Sequence, residues 1–90
     1  MFEIHYTTKF KKDYKTIKRR GYQLNLLKDV IGKLAETGTL PKKFIPHKLS
    51  GQYQDNWECH IKPDWLLIWN IDYETNEIWL VRTGTHSDLF

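Results

Sequence analysis

The sequence predicts a small α+β domain, with two helices laid on one face of a single sheet. Two observations carry this. Two stretches with apolar residues at helical spacing follow one short alternating segment, and three strand-like segments joined by turn signals come only after them. Helices and strands segregated in this way do not fit the alternating pattern of parallel-sheet proteins. A chain of 90 residues makes one such unit, residues 1–90, and at this size buries only about 60% of the surface of its unfolded form.

Residues Phe2 to Tyr6 alternate apolar and polar, as a short strand does. Thr7 or Thr8 then offers an N-cap to a helix in which Phe10, Tyr14 and Ile17 share a face, and Gly21 supplies the stop. Lys12, Lys15 and Arg19 fall on the opposite side. A second helix fits QLNLLKDVIGKLAETG, with a stripe of Leu24, Leu27, Ile31, Leu34 and Ala35 and with Gly38 at the C-terminal position. Gly32 inside it costs about 1 kcal/mol relative to alanine. Only the region around Gly21 separates the two helices, so they form an antiparallel hairpin. The stretch TLPKKFIPHKLSGQYQDN, with two prolines and a glycine, reads as a long exposed loop, of the kind that is often functional in a small domain.

Next come the strands. NWECHIK alternates, with Trp57, Cys59 and Ile61 on one face and Glu58, His60 and Lys62 on the other. DWLLIWNID is almost continuously apolar, as a central strand buried on both faces would be. After the turn YETN, EIWLVRTG forms the third strand of an antiparallel meander, and regular alternation puts Ile78, Leu80 and Arg82 on the same side. The last nine residues, RTGTHSDLF, have little chain left to pack. They form either a solvated tail or a segment with a docking or chemical task.

Composition narrows the function classes. Apolar residues make up 40% of the chain and charged residues 28%, the balance of a globular protein rather than a disordered one. The single cysteine, Cys59, cannot form an internal disulfide, and MFEIHYTTKF lacks the apolar run of a signal peptide, so a reducing cytoplasm is expected. No apolar stretch approaches the ~20 residues of a membrane-spanning helix, and no membrane partner is expected. The net charge of +3 is unevenly placed: Lys9, Lys11, Lys12, Lys15, Lys18, Arg19 and Arg20 stand against the single acid Asp13. Such a block suits a polyanion, nucleic acid or ribosome first, although lysines also solvate helix faces.

His47 lies in the long loop, His60 in one strand, Asp64 at the start of the next, Arg82 near the end of the third and His86 just beyond it. Adjacent antiparallel strands bring Arg82, His60 and Asp64 close together, with His86 and Phe90 arriving from the tail. Imidazoles and a guanidinium suit phosphodiester cleavage, in which one histidine takes the proton of an RNA 2′-hydroxyl, another protonates the leaving 5′-oxygen, and the arginine offsets charge on phosphorus. Trp65 and Phe90 are positioned to stack on splayed bases, Trp65 having burial in WLLIW as its other reading. No HExxH or paired close ligand spacing occurs, so neither a metal nor another cofactor is expected.

The stretch HKLSGQYQDNWECHIKPDWLLIW, followed by VRTGTHSDLF, resembles the YafQ group of the RelE-like toxins of bacterial toxin–antitoxin systems. The resemblance extends over essentially the whole chain, including the early FKKDYK. It implies the RelE-like fold and an mRNA interferase, a metal-independent endoribonuclease. Such an enzyme enters the A site of the 30S ribosomal subunit, contacts rRNA and cuts mRNA by 2′-hydroxyl attack, leaving a 2′,3′-cyclic phosphate. A cognate antitoxin holds it inactive. By this resemblance His47, His60, Asp64 and His86 share acid–base work and substrate positioning, Arg82 stabilises the phosphate, and Trp65 and Phe90 shape the site. The alternative is a non-nucleolytic toxin of the same fold that inhibits a protein target such as DNA gyrase, for which an acid–base set would have no use.

Overall fold

The computed structural model of the protein describes residues Met1 to Phe90. Strand β1 (Glu3–Tyr6) leads into helices α1 (Thr8–Arg19) and α2 (Leu24–Thr37). A two-residue strand β2 (His47–Lys48) follows, then β3 (Trp57–Lys62), β4 (Trp65–Asp72), β5 (Glu77–Gly84) and a terminal turn of helix, α3 (His86–Leu89). The expected meander β3-β4-β5 is present, and the sheet is wider than the meander. Its order is β1-β5-β4-β3-β2, with β1 parallel to β5 and every other pair antiparallel.

Local chemistry sets the helix boundaries. The Thr7 hydroxyl accepts from the Phe10 N–H (3.0 Å) and donates to the Val81 carbonyl (2.9 Å), so one residue caps α1 and fastens it to β5. Gly38 closes α2 at φ +75°. A Cβ there would also stand 2.6 Å from the Phe2 ring, so only glycine satisfies both the backbone and the packing.

Both faces of β4 are covered, as its apolar run requires: Trp65 to Trp69 are all buried. Cys59, Trp65, Leu67, Trp69, Ile78 and Leu80 pack under Phe10 and Ile17 of α1 and Leu27, Val30 and Leu34 of α2. Leu66 and Ile68 on the other face pack against Tyr53 and Leu89, which arrive from the loop before β3 and from α3. Burial pushes the Cys59 thiol up to about 12, with the Glu58 charge adding to the effect, so the thiolate needed for redox chemistry does not form near neutrality. No helix is long and apolar enough to cross a membrane.

Three expectations change, and the alternative left open for the tail is resolved. The segment between α2 and β3 is not merely a loop, because β2 adds to the sheet edge and Tyr53 is buried. The tail is not solvated: α3 carries a reciprocal cap between Thr85 and Asp88, and Leu89 is buried. Trp65 is 3% exposed and donates from Nε1 to the Thr83 hydroxyl (3.0 Å), so it is a core residue with no face open to a base. Finally, regular alternation along β5 fails. Trp69 pairs with Leu80 but Ile68 pairs with Arg82, leaving Val81 as the extra residue of a bulge. The bulge moves Arg82 off the face of Ile78 and Leu80 and onto that of Ile68.

Thr83 is 1% exposed, and its hydroxyl both accepts from Trp65 and donates to the Leu66 carbonyl (2.7 Å). Thr83→Val keeps the shape and orphans a buried indole N–H. Urea unfolding should show a loss of about 1–3 kcal/mol; wild-type stability would mean that the hydroxyl bridge is dispensable.

Candidate active site

The strand register assembles the site. Paired residues project to one face, so His47, Glu58, Ile68 and Arg82 form a row across β2, β3, β4 and β5. His60, Leu66 and Gly84 form the next row. This is the face away from α1 and α2. The histidine rings run in sequence, His47 to His60 at 6.3 Å between centroids and His60 to His86 at 5.8 Å. His60, Asp64 and His86 are therefore brought together as expected, with His47 beside His60 on β2 and Arg82 on the same face on β5, two strands from His60.

Each imidazole is held by one nitrogen and presents the other. His47 Nδ1 lies 2.8 Å from the Ile45 carbonyl and His60 Nδ1 lies 3.2 Å from that of Pro63. A carbonyl only accepts, so both Nδ1 atoms carry protons and Nε2 is the reactive position. His86 Nδ1 donates to Asp64 Oδ1 at 2.6 Å, and the same oxygen accepts the His86 backbone N–H at 2.9 Å. The Asp64 carboxyl is held below its ordinary range, first by that N–H and then by the ring. Asp64, at the β3–β4 turn, is thus committed to orienting the tail histidine.

Three contributors were not singled out from the sequence. Glu58 is 4% exposed; its Oε1 is 3.3 Å from His47 Nε2 and 3.9 Å from His60 Nε2, and its buried Oε2 makes no hydrogen bond. A carboxylate so placed provides countercharge for a proton on either ring. Asp13 takes Arg82 bidentately (Nε to Oδ2 2.6 Å, Nη2 to Oδ1 3.0 Å) and also accepts the Thr83 N–H (3.2 Å), which holds the guanidinium charged. Arg82 Nη1 remains, 3.4 Å from the Tyr53 hydroxyl. Tyr53 in turn donates to the Leu89 carbonyl (3.0 Å) and meets the exposed Phe90 edge to face at 5.3 Å. The strand alternation could have flagged Glu58, a carboxylate on the histidine face; nothing in the sequence pairs Asp13 with Arg82 across 69 positions.

On α1, Lys12, Lys15, Lys18 and Arg19 line one exposed groove, while Arg20 points to the tail and binds Asp88. At the far sheet edge Glu3, His5 and Glu77 place their ligand atoms within 4.8 Å of one another, a spacing able to hold a cation, and there His5 stacks on Trp79 at 4.6 Å.

Residues 2–90 match the family model described as the bacterial toxin of type II toxin–antitoxin system, YafQ. The mRNA interferase toxin YafQ of Escherichia coli K12 is 33% identical over 89 residues, which cover 98% of this chain and 95% of that protein. Among solved structures, a metal-bound toxin from Helicobacter pylori is 43% identical with a TM-score of 0.91, each chain covered completely. The E. coli DinJ–YafQ complex superimposes with a TM-score of 0.89 at 31% identity, covering 100% of this chain and 99% of that one.

Asp64 and Asp88 are both depressed by contacts made only when the tail is docked. Such groups stabilise the docked form above their unfolded pKa of about 3.9, and that support is lost as pH falls through the folded values. Leu89 methyl NMR shifts should therefore be constant between about pH 7 and 5 and drift toward random coil below about pH 4, ahead of those of Leu67. Joint loss of both sets would show that tail docking is not the acid-sensitive step.

Proposed function

The chain belongs to the YafQ family of type II toxin–antitoxin toxins, and from that premise we propose that it is a ribosome-dependent endoribonuclease that cuts mRNA in the A site by acid–base catalysis. The observation that carries this reading is the run of histidines on one sheet face, each anchored through Nδ1 and offering Nε2. His60 or His47 removes the 2′-hydroxyl proton, with the Glu58 carboxylate as countercharge for the resulting imidazolium. The 2′-oxygen attacks phosphorus and the bond to the 5′-oxygen breaks. His86, oriented by Asp64, delivers its Nε2 proton to that oxygen, leaving a 2′,3′-cyclic phosphate and a free 5′-hydroxyl. Arg82 Nη1 meets the charge developing on the phosphate, the rest of the guanidinium being fixed by Asp13. No step calls for a metal.

Phe90, 59% exposed beside the site, is the aromatic free to stack on a base; Trp65 contributes by shaping the strand beneath. Lys9, Lys11, Lys12, Lys15, Lys18 and Arg19 on α1 contact rRNA phosphates as an additive electrostatic term. The protein acts in the cytoplasm. A cognate antitoxin, as DinJ is found with YafQ, silences it by laying an acidic segment over the histidine face and the basic side of α1.

His86→Ala should slow single-turnover cleavage on programmed ribosomes by about 10²–10⁴-fold with ribosome binding nearly intact. Wild-type cleavage would remove His86 from the chemistry. Neutralising Lys12, Lys15 and Arg19 together should weaken ribosome association and flatten its salt dependence; an unchanged salt slope would make the basic helix a solubility device.

A further inference from the structure

We propose that Arg20 and Asp88 are positioning residues of the reaction, a clasp that sets the last helical turn so that His86 meets the leaving oxygen. This rests on the reading of His86 as the general acid. Helix α3 has only four residues, too few to hold itself, since a single turn fixes several dihedrals for almost no hydrogen bonding of its own. Its order must come from outside. Asp64 and Tyr53 provide two of the ties, at His86 and at Leu89. The third is the most heavily built.

The Asp88 carboxylate receives Arg20 through both arms, Nη1 to Oδ2 at 2.6 Å and Nη2 to Oδ1 at 3.1 Å. Oδ2 accepts the Thr85 N–H as well (2.9 Å), while the Asp88 N–H donates to the Thr85 hydroxyl (3.1 Å). One carboxylate therefore ties the C-terminal end of α1 to the entry of α3. A planar fork on a carboxylate fixes orientation as well as distance, which a lysine cannot do. Gly84 makes room for it: its φ is +154°, and a Cβ there would stand 2.8 Å from Asp88 Oδ2. Arg20, with Thr85 second, holds the Asp88 carboxyl well below the usual carboxylate range. Lys12, Lys15 and Arg19 in the same basic block form no ion pair, so the block is divided between residues left free for a polyanion and one committed to the tail.

Two variants isolate the clasp. Asp88→Asn keeps an oxygen for the Thr85 N–H and deletes the charge, whereas Arg20→Lys keeps the charge and deletes the fork. With the intact protein on ribosomes programmed with mRNA, each should slow single-turnover cleavage about 10-fold, less than loss of the acid itself, with ribosome affinity unchanged. On the same message carrying sulfur in place of the scissile 5′-oxygen, the defect should shrink below about twofold, because a thiolate departs without a proton donor. Neither variant should add to the His86→Ala defect. Equal slowing on both substrates would overturn the proposal, and so would the pattern of a plain RNA contact, in which Arg20→Lys is silent and Asp88→Asn tightens ribosome binding. A slow, sulfur-rescued His86→Ala beside a wild-type Asp88→Asn sinks the clasp alone. If His86→Ala cleaves normally, the general-acid reading falls and the clasp falls with it.

Discussion

A central strand buried on both faces is the constraint on which the rest of this molecule depends. Trp65 to Trp69 leave no side for water, yet α1 and α2 cover only one face. The loop before β3 and the last turn of chain must cover the other, which they do with Tyr53 and Leu89 over Leu66 and Ile68. Covering β4 is what orders the tail, and ordering the tail places His86 beside His60. Packing and the proposed chemistry therefore share one stretch of chain: Leu89 is buried for the core, and its near neighbours His86, Asp88 and Phe90 belong to the proposed site.

The charges at the site are arranged in fixed pairs rather than as a diffuse field. Asp64 is bound to His86, Asp13 to Arg82 and Asp88 to Arg20, each at 2.6 Å in its shortest contact. Glu58 stands apart as a buried carboxylate facing two imidazoles with one oxygen unsatisfied. A group of that kind is costly when nothing nearby is positive, and the cost falls when a histidine gains a proton. In the proposed reaction that places the favourable electrostatics at the moment of proton uptake, and a site preorganised in this way would need little rearrangement to take a scissile phosphate.

Much of this was legible in the sequence, for definite reasons. Thr7, Gly21 and Gly38 punctuate the helices by chemistry that acts over a few residues. The apolar run of β4 announces two-sided burial, and the placing of His60, Asp64 and His86 around the β3–β4 turn and the end of β5 brings them together on topology alone. The remainder depends on distant partners. The two-residue β2 exists only because β3 offers an edge, and the bulge at Val81 is a property of the β4–β5 register rather than of β5 itself. Without that bulge Arg82 would sit under the helices, where regular alternation puts it. Asp13 and Arg20 look like ordinary members of a charged helix until β5 and the tail reach them. Trp65 reads as a stacking surface only against the strong pull of the run WLLIW toward the core, and its burial with the Thr83 hydroxyl as partner decides for core.

The central claim is that the histidine face breaks a phosphodiester bond by proton transfer alone. Its most direct test is the identity of the ends produced when the protein acts on ribosome-bound message in the presence of a chelator that takes transition metals and leaves the ribosome its magnesium. The account predicts undiminished cleavage, with a 2′,3′-cyclic phosphate on the upstream fragment and a 5′-hydroxyl on the downstream one. A 3′-hydroxyl with a 5′-phosphate, or a message that stays whole while translation stops, would contradict it.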